Sequence, residues 1–433
     1  MKTKLNLAVA AALLASASAA NAGIMIPAGD WTLDIGGIVN AYYTHTNFSG
    51  DAGTAPLALG DGNADSIQNI TTGLLPNYLS VSGKTRQNDL DVGFTISLNP
   101  GASTVQGGRQ SSQQENRQAF LTFGDKSWGS IKLGKDLGIY ASDAILNDMT
   151  LLGVGSGAGS LAGNTTTLGR IGTGFMYADW KSQVAYSSPN WNGFSFTAGV
   201  TQAWNSVGAV TGTGTSTGRG GSSPAFEAKA SYEWAGDVGG KVWVSAITQR
   251  VRDIGGSAGS AAIPVGSPTS IPGVVTTVAV PASAGTASTS DRATAYDIGA
   301  TVNLAGFGLT GYYGKGDGIG QTIQLFDGFD AKGNSRDSDQ WYVQGTYTIP
   351  GVGTKLGVSY GKSTLDGNSG ESGTLIEDKM WTLGAYHPLT KHLNLVAEYS
   401  DVKHEEGASI NAVGVGKTQG KSKTVSLGAI MFF

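Results

Sequence analysis

Lys423-Thr424-Val425-Ser426-Leu427-Gly428-Ala429-Ile430-Met431-Phe432-Phe433 is the stretch that decides the fold. Val425, Leu427, Ala429, Met431 and Phe433 fall on one face of an extended chain. Thr424, Ser426 and Gly428 fall on the other. This period-2 pattern marks a strand with one apolar face. It runs to the last residue and ends on an aromatic, where a soluble domain usually frays in water. A strand that closes a barrel in a membrane has reason to stay ordered to its end, because a closed ring leaves no free edge.

The same alternation recurs upstream. It predicts strands near 31–44, 75–86, 89–98, 115–124, 129–135, 180–188, 193–202, 226–235, 239–250, 292–304, 306–314, 339–350, 353–361, 378–387, 391–401 and 421–433, about sixteen in all. One clear example sets Trp341, Val343, Gly345 and Tyr347 against Gln340, Tyr342, Gln344 and Thr346. A tilted membrane strand needs ~9–11 residues, and most of these runs fit. Short connections, such as Gln87-Asn88 and Ala305, take strict turns with long polar ones, such as 136–179 and 315–338. Transmembrane β-barrels show that rhythm, with short periplasmic turns and long exterior loops. The expected fold is therefore all-β: an antiparallel transmembrane barrel over residues 23–433. Trp31, Tyr43, Tyr78, Trp180, Trp191, Trp234, Trp341, Trp381 and Phe433 are expected at strand ends, as an interfacial aromatic girdle requires.

Composition agrees. Mean hydropathy is −0.07, which suits a chain that hides apolar residues by alternation. Gly is abundant, at 67 residues against 12 Pro, without a collagen repeat. Residues 1–22 read as a cleaved secretory signal peptide: Lys2 and Lys4, an apolar stretch from Leu5 to Leu14, then Ala20-Asn21-Ala22. Removing them takes the formal charge from −4 to −6. A mildly acidic exported chain is a poor partner for nucleic acid. With no Cys, disulfides, Cys-ligated metals and covalent haem are excluded. His45, His387, His392 and His404 are scattered, and neither HExxH nor GxSxG occurs. No catalytic residue, cofactor or metal site is expected, and the chain is not read as an enzyme.

Arg117 to Gly138, RQAFLTFGDKSWGSIKLGKDLG, resembles the strand–turn–strand before the constriction loop of the general trimeric Gram-negative porins, closest to those of β-proteobacteria. Arg117, Gly129, Leu133, Gly134 and Lys135 stand at the matching positions. The terminal Phe433 resembles the signal read by the barrel-assembly machinery. The Pro-Glu-Phe-Gly-Gly-Asp loop motif of enterobacterial porins is absent, and 136–179 is instead rich in Gly, Leu and Thr.

The resemblance implies a homotrimer among outer-membrane lipids, passing small hydrophilic solutes and ions by passive diffusion. It implies that 136–179, the third exterior loop, folds inward and narrows the pore. The loop charges would be Asp136, Asp143, Asp148, Arg170 and Asp179, facing basic wall residues among Lys84, Arg86, Arg117 and Lys132. A substrate-biased channel for sugars or small organic anions, and a non-conducting binding or adhesin barrel, are the competing readings of the same pattern. A TonB-dependent receptor would need a plug domain before the first strand, and the first expected strand begins near Trp31.

Overall fold

The computed structural model describes residues 23–50, 65–103, 114–160, 166–204, 223–254, 289–330, 332–371, 373–407 and 417–433. The expected signal peptide and the low-complexity stretch 255–288 lie outside the described residues.

A short strand β1 (Ile24–Ala28) turns through Gly29-Asp30 into β2 (Trp31–Gly50). Then come β3 (Ser66–Thr71), β4 (Tyr78–Gln87), β5 (Leu90–Pro100), β6 (Gln114–Glu115), β7 (Ala119–Asp125) and β8 (Gly129–Leu137). A separate hairpin joins β9 (Ser156–Ser160) to β10 (Thr167–Gly169). The chain continues with β11 (Trp180–Ser187), β12 (Phe194–Thr201), β13 (Ala225–Trp234), β14 (Val238–Ile254) and β15 (Thr289–Leu304). It ends with β16 (Phe307–Asp317), β17 (Asp337–Thr348), β18 (Lys355–Asp366), β19 (Thr374–Pro388), β20 (Leu393–Glu406) and β21 (Thr418–Phe432). Setting aside β1, β3, β6, β9 and β10, these form a closed 16-strand antiparallel ring. Closure comes from β21 pairing back onto β2, from Ile38↔Phe432 to Gly50↔Gly420.

The burial pattern is inverted relative to a soluble sheet. In β21 the polar Ser422, Thr424 and Ser426 are 1–2% exposed, whereas Val425, Leu427 and Met431 are 40–53% exposed. The same inversion sets Gln340 and Gln344 inside and Val343 outside on β17. An apolar exterior over a polar interior is what lipid outside and water inside select. Rings pair on the outer face, Phe307–Tyr347 at 4.4 Å by the short-turn rim and Trp381–Tyr399 at 5.1 Å midway along β19 and β20.

Several boundaries differ from the sequence-based expectation, for identifiable reasons. The run expected at 75–86 starts only at Tyr78, because residues 72–77 leave the sheet and turn inward. Asn40 braces that excursion: its Oδ1 accepts from Gly73 N (2.9 Å) and its Nδ2 donates to the Leu75 carbonyl (2.8 Å). Leu74 and Leu75 are thereby buried inside the ring. The run expected at 115–124 holds its ladder only from Ala119. Exterior strand ends run longer than expected: β14 reaches Ile254 instead of 250 and β20 reaches Glu406 instead of 401. Pairing there continues above the apolar band, where alternation no longer advertises it. The two-residue hairpin Asn88-Asp89 has positive φ at both positions (49° and 62°), the geometry that matches the twist of paired strands.

At the seam, Gly37 N donates to the Phe433 carbonyl (2.8 Å) and Phe433 N donates to the Gly37 carbonyl (3.1 Å). A Cβ on Gly37 would lie 2.3 Å from the Tyr78 carbonyl oxygen and 2.7 Å from the Phe433 ring. Gly37→Val should therefore cost about 1–3 kcal/mol by overpacking the seam. The expected outcome is a smaller heat-modifiable, folded fraction on unheated gels, with a wild-type fraction counting against this reading.

Candidate functional site

Among the described residues, the interior faces of β11, β13 and β14 carry five charged side chains. On β13 the inward side chains are Glu227, Lys229, Ser231 and Glu233, alternating with the outward Phe226 and Tyr232. Lys241 follows on β14, and Lys181 on β11 is wholly buried. Strand alternation alone puts these groups inside.

Residues 138–179 leave β8 and return at β11, and their polar contacts reach strands far apart in the ring. Glu227 accepts from the backbone N–H groups of Ile139 and Tyr140, both at 2.8 Å, and from Thr201 Oγ1 at 2.8 Å. Lys181 Nζ completes that carboxylate at 2.6 Å. Glu398 on β20 accepts from Val154 N (2.7 Å), Gly155 N (2.9 Å) and the Tyr386 hydroxyl (2.6 Å). Gln344 on β17 accepts from Met149 N (2.9 Å) and donates to the Asn147 carbonyl (2.6 Å). Arg170 Nη1 donates to the Met380 carbonyl (3.1 Å), and Ser363 Oγ accepts from Gly174 N (2.9 Å). Gly153 gives the Glu398 carboxylate its room: a Cβ there would lie 2.1 Å from it and would displace the side chain. The apolar side chains of the segment, among them Ala144, Met149, Val154 and Phe175, pack on Tyr312, Tyr342 and Tyr386 of the wall.

A second exterior connection, 318–336 between β16 and β17, packs on the first. Tyr177 N donates to the Thr322 carbonyl (3.0 Å), and Gln324 Nε2 donates to that of Tyr177 (3.1 Å). Gln324 Oε1 accepts from Lys181 Nζ (2.6 Å), and Gln321 Nε2 donates to Asp378 (2.7 Å). No local pattern marks this packing, because polar Gly-rich loops look alike wherever they fold.

Among the described residues, a cavity of about 520 Å³ opens inside the ring along the arc from β2 to β14. Hydroxyls and amides line it, including Ser82, Thr95, Gln118, Gln183 and Ser231. Its charged lining is Asp34, Asp136, Asp143 and Glu233 against Lys132, Lys229 and Lys241. Asp143 takes Lys241 at 2.6 Å and Lys229 at 3.1 Å. Burial alone would raise the Asp143 carboxyl; the two ammonium groups outweigh it and hold it below the usual carboxylate range.

The residues singled out from the sequence fall into three groups. Asp143 lies on the cavity, facing Lys229 of β13 and Lys241 of β14, which are not among the residues expected from the sequence. The signal was there, in the polar face of a correctly expected strand. Lys132 and Asp136 also line the cavity, but pair with each other four residues apart, and Asp136 belongs to β8 instead of the loop. Asp148 and Arg170 form a fully buried pair inside the segment at 3.8 Å, away from the cavity lining. Burial pushes the Asp148 carboxyl up, with Arg170 and Thr150 offsetting part of the shift. Arg117 is buried beside Glu115 (2.7 Å) and under Trp180 instead of standing on an open wall. Asp179 turns back on Trp180 N (2.6 Å). Arg86 serves the short-turn rim, bridging Asp91 (2.9 Å) and Asp125 (2.8 Å).

Comparisons with known proteins accord with this architecture. The family model described as Gram-negative porin matches residues 8–407. An anion-selective porin from Comamonas acidovorans superposes with a TM-score of 0.57 at 15% identity, covering 93% of this chain and 100% of its own. The outer-membrane channel DcaP of Acinetobacter baumannii gives 0.60 at 13% identity, covering 94% and 99%. OmpT of Vibrio cholerae, in its trimer form, gives 0.52 at 14% identity, covering 93% and 99%. No curated protein matches. At these identities the solved structures speak to the fold, and the family match over nearly the whole chain carries the rest: the protein belongs to the Gram-negative porins, channels of the outer membrane through which small solutes diffuse passively.

Proposed function

We propose that residues 138–179, with 318–336 stacked on them, set the narrow part of this channel, and that the cavity between Asp143 and the β2–β14 arc is its conducting path. One observation carries the reading. The backbone of 138–179 is hydrogen-bonded to inward side chains of β13, β17 and β20, on separate arcs of one ring. A segment tied down at such points spans the interior and leaves water only beside it. The remaining lining is polar and nearly balanced in charge, which suits ions and small hydrophilic solutes and requires no reaction chemistry. Residues 1–22 would direct export and be removed, and Phe433 would serve the barrel-assembly machinery. The likeness to a trimeric neighbour supports a homotrimer.

Shortening 145–174 should raise single-channel conductance in planar bilayers, and trimming 319–330 should raise it as well. Shortening 255–288 should leave it near wild type. Equal effects from all three deletions would reject the assignment.

Four carboxylates face three ammonium groups on the path, so the pore should lean weakly towards cations at low salt. The preference should fade as screening tightens from ~30 Å at 0.01 M to ~3 Å at 1 M. Asp143→Asn should move the reversal potential towards anions, and the pair Lys229→Gln with Lys241→Gln towards cations. Because the Asp143 carboxyl is held below its usual range, it keeps its charge as pH falls, so its contribution should persist from pH 7 to about pH 5. A wild-type pore that is strongly anion-selective at low salt would overturn this reading.

Glu398→Ala would strand two buried backbone N–H groups at about 1–3 kcal/mol each. Open-channel current noise should rise, and a protease should gain access near 153–156. A quiet, protease-resistant variant would show that the anchor is dispensable.

A further inference from the structure

The outer face carries one cationic arrangement that the channel reading does not use. Arg250 on β14 and Arg292 on β15 are direct cross-strand partners, and both are exposed. Like charges so placed repel and destabilise a ladder. Among the described residues neither guanidinium forms an ion pair with a carboxylate. Arg250 Nη2 donates to Ser290 Oγ (2.9 Å) and Arg292 Nη1 to Thr248 Oγ1 (3.1 Å). The nearest acid in sequence, Asp291, turns its carboxylate to the backbone N–H of Arg292 (2.7 Å). Asp317 on β16 accepts from Ser335 instead (3.1 Å).

The contrast within the same barrel is direct. Lys362 and Lys379 are also cross-strand partners, and there Glu377 bridges both. Lys403 has Glu405, and Lys423 lies 4.0 Å from Asp401. The Arg250–Arg292 pair alone among these lacks its acid.

Directly beneath it, toward the membrane centre, lies an apolar groove of about 730 Å³ on the outer wall. Its lining includes Val184, Ala198, Phe226, Ala228 and Ala246, with Thr248 and Thr294 at the rim below the arginines. Small side chains make the hollow, and Val184 and Phe226 flank it at about half exposure. The arginines stand outside the lining itself and join it through Thr248, which accepts from Arg292.

We propose that the Arg250–Arg292 pair and this groove bind an anionic, phosphate-bearing lipid of the outer leaflet, its phosphate between the two guanidinium groups and an acyl chain along Ala228 and Ala246. The long connections place both arginines at the exterior rim, so the occupant comes from the outer leaflet. Guanidinium groups hold phosphate oxygens through paired, charge-assisted hydrogen bonds, and such a ligand turns cross-strand repulsion into a bridge. The groove supplies what a free phosphate could not use.

The test is native mass spectrometry of the folded, full-length protein in detergent, titrated with lipid A carrying two phosphates. Wild type should retain the lipid, and Arg250→Gln with Arg292→Gln should weaken retention by about tenfold or more. Lys362→Gln with Lys379→Gln should leave it within about twofold, since that pair is already neutralised by a surface acid. Ala246→Trp, which fills the groove without touching charge, should weaken retention as well. Dephosphorylated lipid A should bind poorly, and inorganic phosphate should not displace the intact lipid. The proposal falls if the double arginine variant binds like wild type, if the lysine variant loses as much, or if removing the phosphates changes nothing. It falls too if inorganic phosphate displaces the lipid fully, because the groove then contributes nothing. Heat-modifiable mobility of each variant confirms that folded protein is being compared.

Discussion

Every part of this structure depends on the closure of β21 onto β2. In hydrocarbon no water satisfies an open strand edge, so the ring has to meet itself or not insert at all. Thirteen residue pairs, from Ile38↔Phe432 to Gly50↔Gly420, make that junction. Its register is fixed by alternation: slipping one residue would turn Ser422, Thr424 and Ser426 to lipid and Val425 and Leu427 to water. The close approach at Gly37 lets the Phe433 backbone add two more hydrogen bonds to the same junction.

With closure settled, interior and exterior obey opposite rules, and two buried carboxylates show how the interior is organised. Glu227 and Glu398 each collect two backbone N–H groups from 138–179 along with side-chain donors. A buried carboxylate is costly unless its lone pairs are met. Here meeting them ties the inward segment to the wall, so the electrostatic requirement of the acid and the position of the segment are one arrangement. Lys181 extends it, joining Glu227 to Gln324 of the second inward connection.

The barrel was legible in the sequence because lipid outside and water inside impose a strict period of two. The strands lost at their edges, such as residues 72–77 and the exterior ends of β14 and β20, are those where that period stops applying. Site chemistry was less legible. Asp143 could be named from its place in the third exterior connection. Its partners Lys229 and Lys241 are set by which strands face the loop across the ring, a long-range relation no local pattern encodes. The family resemblance implies a wall charge at Arg117, yet it is buried beside Glu115 and Trp180, since only tertiary packing decides which inward residues meet water. The second inward connection left no signature, because its anchors Gln321 and Gln324 are unremarkable in a polar loop.

The anchors of the inward segment also bear on the order of assembly. Val154 and Glu398 are 244 residues apart, and Met149 and Gln344 are 195 apart. Contacts of such separation carry a large loop-closure entropy, and they become available only when β17 and β20 are already in place. These contacts presuppose the ring, since the strands that carry Gln344 and Glu398 lie far along the chain from the segment they hold. Most strands need only their neighbour in sequence to pair, whereas the anchors at Gln344 and Glu398 need the far side of the ring, so the wall is specified locally and its filling globally.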